Sequence, residues 1–228
     1  GIIGIGIGLG SIGLGLQNNA LAIAGFAGGL LHILNHSLFK SLLFYGAGSV
    51  YQKTGTLNIE KLGGLIKKMP KTAILFLIPA LAICGLPPFN GFISEFLIYS
   101  GLFKGLQTQS FAFSLFLITA IFALVLTGGL AFLCFTKAFG IVFLGSPRNQ
   151  YPEEPKEIPF GMLLPKYLIT SLIFAIGLFP KYFLQLLKSP IALFVPDMNN
   201  SASGYFAAQT NLLSNIGFAG FIFRNCIN

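Results

Sequence analysis

The sequence predicts an all-α, polytopic transmembrane helix bundle containing one proline-broken helix. Three observations carry that prediction. The 228 residues are 54% hydrophobic and only 9% charged, against about 25% charged in a typical soluble domain. The mean hydropathy is +0.81. The apolar residues fall in long runs between short polar segments, and about 20 apolar residues make one helical crossing of a bilayer, so roughly four to six crossings fit this length. These figures exclude a disordered chain, a nucleic-acid-binding module and an ordinary soluble enzyme. The net charge of +8 is carried largely by lysines in short loops, which points to a lipid bilayer as partner rather than nucleic acid.

The first run, Gly1 to Leu16, is too short for a full crossing and reads as the tail of one. It opens within apolar sequence and shows no signal peptide, so the chain reads as a piece of something longer. Its glycines contain a GxG pattern. No strand precedes it and no acid follows at ribose distance, so a dinucleotide site is not indicated. Glycines four apart (Gly4 and Gly8, Gly6 and Gly10) suit close helix packing in lipid. Gln17-Asn18-Asn19 marks a turn, and the second run extends from Ala20 to about Tyr51. A polar, basic loop leads to Lys71. The third run, Thr72 to Phe103, is split by Gly85-Leu86-Pro87-Pro88, and the fourth is Phe111 to Gly145. A Pro- and Glu-rich loop, Ser146 to Pro159, precedes the fifth run, Phe160 to Leu187. A sixth, Tyr205 to Phe223, is interrupted by Gln209, Asn211 and Asn215. This divides the chain into a helical unit over 1–188 and a C-terminal loop with a candidate last helix over 189–228.

The loop after the second run carries Lys53, Lys61, Lys67, Lys68 and Lys71 against Glu60. The positive-inside rule makes it cytoplasmic. The turn near Lys104 to Ser110 then faces outward, and the loop 146–159 faces inward like 52–71. Lys104, Lys166, Lys181, Lys188 and Arg224, near run ends, read as interfacial anchors. Cys84, Cys134 and Cys226 are far apart, mostly in apolar runs, and read as small buried hydrophobes. No cofactor, iron–sulfur, quinone or metal motif is evident.

Ionisable groups within crossings are the informative ones, because each costs roughly 2.5–3.5 kcal/mol to insert at a helix centre. His32, His36 and Lys40 are spaced i, i+4, i+8 in LLHILNHSLFKSLLF. They share one helix face and cover about 12 Å of its axis through mid-membrane. Imidazoles and a desolvated lysine exchange protons at modest cost, so this line of groups suits a water-bridged proton relay. The alternative is a polar patch that glues helices together. Zinc on the two histidines is disfavoured, since neither the HExxH glutamate nor a third ligand is evident. Glu95, in ICGLPPFNGFISEFLIY, is the only carboxylate in an apolar run. It follows the break by two turns. Pro87 and Pro88 break the helix by withholding N–H donors, and Gly85 and Gly91 add flexibility as a hinge. Glu95 there suits proton exchange with the outer side; the alternative is a kinked helix with Glu95 paired to a neighbouring lysine. Lys137, in LAFLCFTKAFGIVFLG, lies about 13 Å from the centre of its run and reads equally as a relay group or as a lysine reaching the surface.

LLHILNHSLFKSLLFYGAGSV followed by TGTLNIEKLGGLIKKMPKTAILFLIPALAICGLPPFNGFISEFLIY resembles the antiporter-like membrane subunits of energy-converting complexes. These include proton-pumping subunits of complex I, Mrp-type antiporters, and the large membrane subunits of hydrogenase-4 and formate hydrogenlyase. NHSLFKSLLF, GLPPFNGFISE, TKAFGIVFLG and MLLP are most similar to the hydrogenase branch. The resemblance implies an inverted-repeat antiporter-like fold, of which this chain holds the later helices. It implies that His32, His36 and Lys40 lie on the central relay helix, that Glu95 marks the channel end on the broken helix, and that Lys137 matches a lysine of the hydrogenase branch. It also implies membrane and peripheral partner subunits in a prokaryotic inner membrane, with no redox chemistry in this chain. The function expected is proton translocation in a redox-driven complex. The alternatives are Mrp-type cation/proton antiport and a structural membrane anchor of a hydrogenase.

Overall fold

The computed structural model describes residues 1–107, 111–148, 151, 154–195, 204 and 208. Among these, the chain is helical and contains no strand. In chain order the helices are α1 (Ile2–Gly15), α2 (Asn19–Thr54), α3 (Pro70–Ile83), α4 (Asn90–Gly105), α5 (Phe111–Phe143), α6 (Phe160–Leu178), α7 (Pro180–Leu186) and α8 (Lys188–Ala192), with short 3₁₀ turns at Ile59–Lys61 and Leu65–Lys67. The helices α2, α5 and α6 are each long and apolar enough to cross a membrane. Apart from residue 208, the expected run at 205–223 lies outside the described residues, as do Cys226 and Arg224.

Helix α2 starts where Asn18 Oδ1 accepts the Leu21 N–H at 3.1 Å, satisfying one of the free donors of the first turn. It ends at Gly55, whose φ of 69° suits a residue without a Cβ. Its 36 residues make it about 54 Å long. The helix is the centre of the bundle. Leu21, Ala22, Ile23, Ala24, Ala27 and Leu31 are buried along it, and α1, α3, α4 and α6 pack around it.

Helix α1 meets α2 almost backbone to backbone. A Cβ at Gly13 would stand 2.3 Å from the Ala22 nitrogen, and one at Gly25 would stand 2.2 Å from the Gly10 nitrogen. Of the glycine pairs expected to pack, Gly6 and Gly10 do so. Gly4 and Gly8 have nothing within 4 Å of a Cβ and face away from α2. Close approach of small residues is the main packing force available where the solvent is itself apolar.

The third run divides into α3 and α4 as expected, but the reason differs from the one the prolines suggest. Helix α3 ends in a Schellman motif. Gly85 has φ 67°, its N–H donates to the Ala82 carbonyl at 3.1 Å, and the Leu86 N–H donates to the Leu81 carbonyl at 3.4 Å. Gly85 therefore stops the helix before Pro87 and Pro88 are reached. Gly91 is equally steric rather than flexible: a Cβ there would lie 2.0 Å from the Ala82 carbonyl oxygen. The fifth run also divides, at Phe179, into α6 and α7. Pro180 occupies the first turn of α7, where its missing N–H is harmless, and it holds Phe179 out of the helical region. After α8, Phe194 stacks on Phe26 of α2 at 4.9 Å between ring centres, and Ile191 and Val195 join the core around α2.

Helix α5 stands at the edge of the bundle against α3 and α4. Leu115, Phe116, Phe122, Val125, Leu126, Leu130 and Leu133 are exposed along it, an apolar face suited to a hydrocarbon surrounding. The loops 52–71 and 146–159, expected on one side, are joined. The Gly64 N–H donates to the Leu144 carbonyl at 2.9 Å, Arg148 Nη1 donates to the Leu62 carbonyl at 3.1 Å, and Lys68 pairs with Glu154. Glu157 caps α3 from a distance. It accepts the Lys71 N–H at 2.8 Å, the Thr72 N–H at 3.2 Å and the Thr72 hydroxyl at 2.5 Å. An anion belongs at a helix N-terminus, where free N–H groups and the positive end of the helix dipole converge.

Candidate functional site

His32, His36 and Lys40 do share one face of α2 and line one cavity of about 260 Å³. Phe39 and Ile83 contribute apolar wall, Gly1, Ile2 and Ile3 at the start of α1 and Thr127, Gly128 and Ala131 of α5 flank it, and the cavity is partly open. The His32 and His36 rings are 6.2 Å apart between centres. Lys40 Nζ lies 5.8 Å from the centre of the Phe135 ring, within range of a cation–π attraction. The groups are graded in burial: His32 is 3% exposed, whereas His36 and Lys40 are half-buried. The cavity has room for several waters, which is what groups one helical turn apart need to exchange protons.

Behind His32 lies a polar seam that joins α2 to α4. His32 Nδ1 is 2.9 Å from Ser94 Oγ. Asn35 Nδ2 donates to the Asn90 carbonyl at 2.8 Å and to Ser94 Oγ at 3.1 Å, and Asn90 Nδ2 donates to Asn35 Oδ1 at 3.2 Å. The Ser94 hydroxyl donates to the Gly91 carbonyl at 3.0 Å. Asn35, Asn90 and Ser94 are fully buried. Sequence reasoning passed over all three. The available signal was three amide and hydroxyl side chains within otherwise apolar helices, where a polar group without a partner is costly.

Glu95, the residue after Ser94, is 8% exposed and pairs with no cation among the described residues. Its carboxylate lies at the helix break itself, not two turns beyond it. Helical side chains tilt towards the N-terminus, and Glu95 reaches back until Oε2 would stand 2.6 Å from a Cβ at Gly85. Pro87 and Pro88 form the connecting turn, and the Pro88 carbonyl packs on Gly177 of α6, where a Cβ would meet it at 1.9 Å. Glu95 does not line the cavity; its chain neighbour Ser94 bonds His32, while the Glu95 carboxylate itself turns to Gly85. Lys137 is exposed on α5 and is also outside the cavity.

Lys166 departs from its expected role as an interfacial anchor. It is 2% exposed in α6 and donates to Ser49 Oγ of α2. An apolar layer that includes Phe39, Leu42, Ala82, Phe89 and Ile173 lies between Lys166 and the Asn35 seam along the same face of α2, so Lys166 belongs to a separate polar contact.

A bundle of apolar helices with a discontinuous helix, a buried carboxylate at the break and a line of ionisable groups on a partly open cavity defines a polytopic helical membrane protein. Residues 7–133 match the family described as NADH:quinone oxidoreductase/Mrp antiporter, transmembrane. The chain belongs to that family. It is 43% identical to hydrogenase-4 component B of Escherichia coli K12, over 78% of this chain and 26% of that protein. It is 39% identical to formate hydrogenlyase subunit 3 of the same organism, over 89% of this chain and 33% of that protein. It is also 30% identical to Na(+)/H(+) antiporter subunit A1 of Staphylococcus epidermidis RP62A, over 85% of this chain and 25% of that protein. The chain thus spans about a quarter to a third of the length of these relatives. Among solved structures, the Mrp complex from Dietzia sp. DQ12-45-1b aligns with a TM-score of 0.63 at 20% identity, over 83% of this chain and 41% of that one. A membrane-bound sulfane sulfur reductase, an archaeal respiratory membrane complex, aligns at 0.60 and 23% identity, over 75% of this chain and 28% of that one. These likenesses establish the antiporter-like helical fold.

Proposed function

We propose that this chain is the later part of a proton-translocating membrane subunit in a redox-driven complex of the hydrogenase-4 or formate hydrogenlyase type. The observation that carries this reading is the alignment of His32, His36 and Lys40 on one cavity, beside the broken helix that bears the buried Glu95. Protons move along the three α2 groups through water in the cavity and exchange near Glu95 at the break. Lys40 and Glu95 are the groups that respond by gaining or losing a proton. Charge movements in partner subunits supply the driving force, because a charge brought near one site shifts the proton affinity of the next. Lys137, on the exposed face of α5, acts at the membrane surface. The subunit lies in a prokaryotic inner membrane with loops 52–71 and 146–159 in the cytoplasm, supported by the lysines of the first loop and its bonds to the second.

The test is Lys40→Ala and Glu95→Gln in the native complex, with proton transport measured in sealed vesicles beside a check of subunit content. The reading expects transport to fail while the complex remains assembled; unchanged transport in both variants would falsify it. The 30% identity to sodium/proton antiporter subunits favours a second reading, cation/proton antiport. A requirement for sodium, or exchange in membranes lacking an electron donor, would select it.

A further inference from the structure

The hydrogen bonds around Ser94 decide which nitrogen of His32 is available to the cavity. A carbonyl can only accept, so the Asn90 carbonyl at 2.8 Å orients the Asn35 amide with its nitrogen inward. That nitrogen then has its second hydrogen directed at Ser94 Oγ. A serine hydroxyl has one hydrogen to give and two acceptor positions. Its hydrogen is taken by the Gly91 carbonyl at 3.0 Å and one acceptor position by Asn35. The remaining acceptor position faces His32 Nδ1 at 2.9 Å. With the hydrogen on Nδ1, the His32 ring, the Ser94 hydroxyl and both hydrogens of Asn35 Nδ2 all have acceptors. With the hydrogen on Nε2, Ser94 must turn its hydroxyl from the Gly91 carbonyl to Nδ1, and that bond to Gly91 is lost.

We infer that Asn35 and Ser94 are positioning residues that hold neutral His32 with its hydrogen on Nδ1, leaving Nε2 as the atom that accepts the translocated proton. The inference rests on the proton-path reading for its functional half. Its structural consequence is specific. Protonation at Nε2 leaves the Nδ1–H bond to Ser94 in place, so His32 changes charge without loosening α2 from α4. The cavity side of His32 faces His36 and Lys40 from α2 and Thr127 from α5. A proton therefore arrives from the α2 line of groups and not from the seam, where the carbonyl of Gly91 ends the chain of hydrogen bonds.

The experiment is nitrogen-15 NMR of the intact, full-length complex labelled at both histidine ring nitrogens, with the His32 signals assigned by difference from His32→Gln. At a pH where the ring is neutral, the expected spectrum shows a protonated Nδ1 and an unprotonated Nε2; the reverse pattern overturns the inference. Ser94→Ala is expected to move the population to the Nε2–H form and to lower proton transport severalfold, with Ser94→Thr, which keeps the hydroxyl, restoring both. An unchanged tautomer in Ser94→Ala also overturns it. If Ser94→Ala does not assemble, the spectrum of the unaltered complex still decides the question. An Nδ1–H ring combined with normal transport in His32→Gln defeats the proton-path reading while the tautomer assignment stands. An Nε2–H ring with transport lost in His32→Gln defeats this inference alone.

Discussion

Replacing Gly91 by alanine tests whether the helix break and the polar seam are one rigid unit. The added Cβ would lie 2.0 Å from the Ala82 carbonyl oxygen, so the first turn of α4 has to withdraw from α3 by more than 1 Å. The opposing atom is backbone, held by the end of α3, and cannot rotate away. A shift of that size exceeds the tolerance of the 2.8 Å bond from Asn35 to the Asn90 carbonyl and the 2.9 Å contact of His32 with Ser94. Overpacking costs about 1–3 kcal/mol, and each buried polar group left without a partner costs about 1–3 kcal/mol more. The helix preference for alanine returns at most about 1 kcal/mol. The expected net loss is about 3 kcal/mol, which corresponds to a fall of roughly 6–12 °C in unfolding midpoint for a unit of this size. The assay is heating of the detergent-extracted complex followed by size-exclusion of what remains assembled, with proton transport measured in parallel. Gly48→Ala is the control, because nothing lies within 4 Å of a Cβ there. If Gly91→Ala matches Gly48→Ala in midpoint and transport, the break is compliant and this account of it is wrong.

Three further outcomes follow from the packing. Gly13→Ala should destabilise the α1–α2 pair, by about 1–3 kcal/mol, whereas Gly8→Ala should be silent, since only the former places a Cβ against backbone; the same heating assay separates them. Glu157→Gln should cost about 1 kcal/mol by weakening the anionic cap on α3, and a change within error would show that the N–H groups of Lys71 and Thr72 find other partners. Ser49→Ala leaves the buried Lys166 amine without its acceptor and should cost about 1–3 kcal/mol, while Lys166→Met removes the need for one and should be better tolerated. The reverse order of midpoints would contradict the assigned bond.

The division of labour between sequence and tertiary structure is visible residue by residue. The long α2 and the break between α3 and α4 were legible beforehand, because burial in lipid is written as continuous apolar runs and helix ends as local Asn, Gly and Pro signals; the division of the fifth run at Phe179 and the short α8 were not. The shared face of His32, His36 and Lys40 was legible for the same reason: helical periodicity is a local property. The partners of those residues were not. Ser94 lies 62 residues from His32 and Ser49 lies 117 from Lys166, and nothing local distinguishes a lysine that reaches the membrane surface from one that turns inward to a hydroxyl. The prolines were the conspicuous signal at the break, yet the decisive atoms were those missing from Gly85 and Gly91, whose necessity appears only when the Ala82 carbonyl and the Glu95 carboxylate are brought against them. Sequence alone determined which segments must leave water and which charges would be stranded there, since hydrophobic transfer depends on composition along the chain. Tertiary structure decided which stranded groups meet, since a hydrogen bond depends on distances of about 3 Å between atoms that the chain places far apart.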